Sequence, residues 1–98
     1  MLLQIYFPIH YEGHWFVVVV HTKGKKFIIL DPCHRDFDEN SEYHRNFKDI
    51  FIPNFIKIWN EIDTLDMGFH GYQTIFADVP QCSRDEDVGI FIMKFLQL

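Results

Sequence analysis

Cysteine and positive charge are both scarce in this chain. Among its 98 residues only Cys33 and Cys82 carry thiols, which is too few for the disulfide framework of a small secreted domain, so both are expected to be free thiols. Lys and Arg number 9 against 14 Asp and Glu, a formal net charge of −5. Apart from Lys23, Lys25 and Lys26 the basic residues are scattered, so the patch that holds phosphates is missing and a nucleic-acid partner is excluded. No apolar run approaches the roughly 18 residues of a membrane span, and the amino terminus lacks the organisation of a secretory leader. These absences imply a nuclear or cytoplasmic setting with no membrane partner. Metal spacing is missing too. Cys33, His34, His44, His70 and Cys82 form no zinc-like pair, and the acidic stretch 36–42 lacks the alternating ligands and central glycine of a calcium loop. Neither a metal nor a cofactor is implied.

What remains is apolar and aromatic. Nearly half of the residues (48%) are hydrophobic and 17% are aromatic, enough for one compact core, although at this length only about two-thirds of the unfolded surface is buried. Residues 2–8 are β-prone and end in turn chemistry at Pro8 and Tyr11-Glu12-Gly13. His14 to His21, HWFVVVVH, carries four successive valines that cannot alternate in polarity. Its strand must therefore be covered on both faces. Thr22 to Lys25 turns the chain into Lys26 to Leu30, KFIIL, which stops at Asp31-Pro32, so these two segments form a hairpin. The polar loop that follows should end in a helix cap at Asn40 or Ser41. Phe47, Ile50, Phe51, Phe55, Ile58, Trp59 and Ile62 then recur at helical spacing, with Pro53 expected to divide them into two helices. A short strand is expected over 73–79.

The stretch from Val79 to Met93, VPQCSRDEDVGIFIM, is a polar loop that becomes a helix near Asp87. Ser83, Asp85 and Asp87 are its candidate caps, and Val88, Phe91, Ile92 and Phe95 its apolar face. The order strand, hairpin, helix, strand, helix gives an α+β fold with helices against a mixed central sheet. In that fold His14 opens one strand and Asp31 closes the next, so a hairpin brings both to one sheet edge. A histidine oriented by a carboxylate and facing a helix amino terminus is the layout of a nucleophilic hydrolase.

These residues resemble the cysteine proteases that process ubiquitin-like modifiers such as SUMO, a family related to the adenovirus protease. His14-Trp15 at the start of an apolar strand, Asp31 seventeen positions later, Val79-Pro80-Gln81, and Asp87-Val88-Gly89-Ile90-Phe91 stand in the family's order, and Ile5-Tyr6-Phe7-Pro8 resembles its preceding strand. The resemblance implies a papain-like, adenain-like α+β core over residues 1–98, one partial catalytic domain, incomplete at the amino-terminal side. Its partner would be a SUMO-like modifier or its conjugates. His14 would be the general base, Asp31 its orienter and Trp15 a wall of the tunnel for the modifier's Gly-Gly tail. The nucleophile position falls on Val88, which has no thiol. The oxyanion position falls on Cys82 by the family's spacing, or on Gln81 if the loop carries one extra residue. Three readings follow: a peptidase domain by descent with catalysis lost, a module that binds a modifier without cutting it, or a fragment without activity.

Overall fold

The structure is a computed structural model that describes residues 3–33, 42–62, 67–82, 84 and 87–97. Four strands form one sheet in the order β1-β2-β3-β4: β1 Gln4–Tyr11, β2 His14–His21, β3 Lys26–Leu30 and β4 Gln73–Phe76. Helix α1, Glu42–Ile62, lies between β3 and β4 in sequence, a single 3₁₀ turn spans Phe69–Gly71, and helix α2, Val88–Phe95, follows β4. β1 and β3 both run antiparallel to β2, whereas β4 is parallel to β3. The sheet is mixed, as expected, because a helical crossover allows parallel pairing where a tight turn does not.

β2 and β3 have the bounds their sequences predict. β1 does not stop at Pro8. It runs on to Tyr11, with Pro8 opposite Val17. β1 is an edge strand, so a residue without an N–H can stay in it. Glu12 and Gly13 have φ of 51° and 78°, the pair of left-handed residues that closes a two-residue hairpin. β4 ends at Phe76, short of the predicted Val79.

The predicted division at Pro53 does not occur, and α1 is one helix of 21 residues with the proline inside it. The cause is tertiary. Phe47, Phe51 and Phe55, four residues apart, stack their rings at 5.3 and 5.9 Å, and Phe7 and Phe27 meet this ladder edge-on. Pro53 is exposed on the other side, so burial of the ladder outweighs a local loss of about 3 kcal/mol. The predicted caps at Asn40 and Ser41, like those at Ser83 and Asp85, lie outside the described residues.

The helices sandwich the sheet. Phe16 and Val18 point toward α1 and pack with Ile29 and Phe47, while Val17 and Val19 point the other way and pack with Ile92 and Phe95 of α2. The valine strand is thus covered on both faces. A third cluster, Val20, Phe27, Ile56 and Phe69, closes the end of the sheet away from His14.

Candidate functional site

Antiparallel pairing places the start of β2 and the end of β3 at one edge of the sheet. Parallel pairing brings the end of β4 to that edge as well, and the chain leaving it leads to α2. His14, Asp31 and Val88 therefore converge from 14, 31 and 88 in sequence. The His14 Nε2–H donates to Asp31 Oδ1 at 2.7 Å, with the aspartate side chain 1% exposed and the histidine 24% exposed. A carboxylate only accepts, so this bond fixes the tautomer and leaves Nδ1 as the basic nitrogen of the imidazole. The Cys33 backbone N–H donates to the same Oδ1 at 3.1 Å. Asp31 thus receives both a side-chain donor and a backbone donor.

Gly13, His14, Trp15, Cys33 and Val88 line a cavity of about 210 Å³. Trp15 is 44% exposed at its rim and stacks on His10, its partner across the β1-β2 hairpin, at 4.6 Å. Val88 is the first residue of α2, as the sequence implies, and Asp87 before it accepts from Arg84 Nε at 3.3 Å without capping the helix through its side chain. The Val88 side chain is half-buried against Val17, Val19, Leu30, Ile92 and Phe95. It has no ionisable proton and no lone pair.

The expectation of free thiols is corrected. Cys33 and Cys82 are joined in a disulfide, with their Cα atoms 5.7 Å apart and their positions 49 apart in sequence. Cys82 is buried at 6% exposure, and its N–H donates to the Pro32 carbonyl at 2.7 Å. A sulfur in a disulfide can be neither a nucleophile nor an amide donor, so Cys82 fills no oxyanion role. Gln81 keeps its amide near the site, but its Nε2 donates to the Asp31 carbonyl at 2.7 Å and to the Val79 carbonyl at 3.3 Å. In this arrangement it braces the backbone behind Asp31. Among the described residues no three histidine, cysteine or acidic side chains cluster as metal ligands would.

Sequence reasoning missed Tyr43 in the first turn of α1. Its ring stands edge-on to the His14 imidazole at 5.6 Å, and its hydroxyl donates to the Tyr11 carbonyl at 2.7 Å. Tyr43 and Phe47 are one helical turn apart, which was the available signal. Burial pushes the Tyr43 hydroxyl above the usual tyrosine range, helped by the negative charge of Asp31 and Glu12 and by Tyr11. The folded state thus holds this proton more tightly than the unfolded chain. Its contribution is complete below about pH 10, the unfolded value, and is lost as pH rises above it. Tyr43→Phe is expected to cost about 1 kcal/mol at pH 7 through the lost hydrogen bond. It should also flatten the fall in stability above pH 10, measured by urea unfolding at pH 8 to 11; an unchanged slope would contradict this.

A His-Asp pair at neighbouring strand ends, sharing a cavity with the first residue of a helix, is a layout of the thiol-peptidase class, and the helix residue here is Val88. The profile of the Ulp1 protease family, C-terminal catalytic domain, matches residues 4–98. The chain belongs to that family. It is 23% identical over 108 residues to Probable ubiquitin-like-specific protease 2B of Arabidopsis thaliana, an alignment that takes in 96% of this chain and 12% of that protein. Its fold is similar to the C-terminal Ulp1 protease domain solved in complex with Smt3, the yeast ortholog of SUMO, with a TM-score of 0.65 and 20% identity over 91% of this chain and 37% of that one. A de-sumoylating protease is similar at a TM-score of 0.57 and 16% identity, over 96% and 36% of the two chains. The chain thus spans well under half of each relative.

Proposed function

We propose that this chain is a partial ubiquitin-like-modifier protease domain that has lost peptide-bond cleavage and retains a place for the carboxyl-terminal tail of a SUMO-like modifier, in a nuclear or cytoplasmic setting. The observation that carries this reading is the cavity itself. His14 and Asp31 stand in hydrogen-bonded order on one wall, Trp15 stands at the rim, and Val88 occupies the helix start where a thiol would be. An acyl-enzyme needs a nucleophile with a lone pair, and valine supplies none. Binding needs only an aromatic wall and backbone to pair with an extended tail. Loss of chemistry therefore leaves recognition intact. The Smt3 complex of the similar Ulp1 domain supports a modifier of that class as the partner.

The test is a titration of the chain with a SUMO-like modifier ending in Gly-Gly. Affinity is expected in the micromolar range or weaker, about 8 kcal/mol or less. Trp15→Ala should abolish it, because a half-exposed indole is surface rather than core, while His14→Ala should change it little. Equal affinity in a folded Trp15→Ala chain would remove the tail-binding reading and favour a fragment without activity.

A further inference from the structure

The Cys33–Cys82 disulfide ties together the two stretches that support the candidate site. Residues 31–33 carry Asp31 and one wall of the cavity, and residues 79–82 lead toward α2. Three links join them: the disulfide, the Cys82 N–H to Pro32 carbonyl bond, and the Gln81 amide to Asp31 carbonyl bond. The two sulfurs are not equivalent. Cys82 is buried under the junction, whereas Cys33 lines the cavity together with His14.

We propose that this disulfide is a redox latch, and that its reduction turns Cys33 into a reactive thiol presented to the His14 imidazole. A dithiol reductant donates two electrons and two protons, becomes a cyclic disulfide and leaves two thiols on the protein. His14 is already fixed by Asp31 with Nδ1 as its basic nitrogen, so it can accept the Cys33 proton and raise the thiolate fraction. Among the described residues, the contacts given for Cys82 are to Cys33 and to the Pro32 carbonyl, not to a histidine. A strongly reducing compartment would keep the latch open, and an oxidising pulse would close it. Cys33 comes from the loop after β3 and not from a helix start, so the released thiol gains the histidine without the helix amino end. Its chemistry is therefore reaction with small electrophiles and oxidants rather than peptide cleavage. This inference stands on the walls of the cavity and does not depend on modifier binding.

The experiment follows alkylation of the 98-residue chain by iodoacetamide, in which the Cys33 sulfur bonds to the methylene carbon and iodide leaves. Peptide mass spectrometry reads each cysteine separately. Before reduction neither cysteine should react. After reduction with dithiothreitol, Cys33 should react at least ~10-fold faster than Cys82, consistent with a raised thiolate fraction. His14→Ala should bring the Cys33 rate down toward that of a simple thiol, and the ratio should collapse in urea. Cys82→Ser provides a second route, since it should expose a fast Cys33 without any reductant. Two labelled cysteines before reduction would overturn the latch. Equal rates after reduction, whether because the chain unfolds or because His14 has no effect, would overturn the reactive thiol.

Discussion

Val88→Cys is expected to create a covalent adduct at position 88 with a modifier bearing a carboxyl-terminal electrophile, where the parent chain forms none. The new thiol would occupy the first residue of α2, where unpaired amides and the helix dipole lower a thiol pKa. It would share a cavity with His14, already oriented by Asp31. Removing the nucleophile from a well-studied hydrolase triad costs on the order of 10⁶ in rate. Restoring one here cannot recover all of that, because the Gln81 amide is engaged with the Asp31 carbonyl, and a missing oxyanion donor costs about 100-fold to 1000-fold. The expected gain in hydrolysis of a modifier amide is thus roughly 10³-fold over the parent, and His14→Ala in the same background should remove it. Stability should barely change, since the substitution trims a half-buried side chain at the margin of the α2 cluster. Cys82→Gln, the change that family spacing would suggest for the oxyanion position, should instead disturb the junction, because it breaks the disulfide and forces a polar side chain into a buried place. If a folded Val88→Cys chain forms no adduct, His14 is not placed to activate a thiol at the helix start.

The largest expected effect on stability is at Phe16. Its side chain is fully buried, its ring lies 4.8 Å from Phe47, and it is two residues from His14 on the same face of β2, 6.0 Å from the imidazole. Phe16→Ala removes the plug between β2 and α1 and should cost about 3–5 kcal/mol. A domain of this size holds about 5–15 kcal/mol in all. The urea midpoint should therefore fall by roughly 2 M, and the His14 geometry should loosen with it. Ile62→Ala is the control, because Ile62 is 79% exposed at the end of α1 and its loss should stay within about 0.5 kcal/mol. Equal effects at the two positions would mean that α1 does not dock on β2 as described.

Local pattern was enough where one chemistry dominated. Four valines can only be a strand covered on both sides, so β2 and β3 and the meeting of His14 with Asp31 were legible in the sequence. The helix start at Val88 was legible too, since the polar loop and the apolar spacing change there. Other features depended on contacts distant in sequence. Pro53 marks a break by local rules, and only the Phe47, Phe51 and Phe55 ladder against Phe7 and Phe27 shows why α1 continues through it. Pro8 is tolerated because β1 is an edge, and edge status is a property of the sheet rather than of the residue. The disulfide was hidden for a related reason. Cys33 and Cys82 lie in two loops whose approach is set by β3-β4 pairing, which neither cysteine's neighbourhood reveals.

The central claim is that this site keeps its histidine and aspartate but cannot cut, because position 88 is a valine. The most direct measurement is turnover of a SUMO-like modifier carrying a carboxyl-terminal fluorogenic amide by the parent chain, purified free of contaminating proteases and assayed with and without dithiothreitol. The account predicts a rate equal to the protein-free blank under both conditions. Turnover above the blank that disappears with His14→Ala would contradict it.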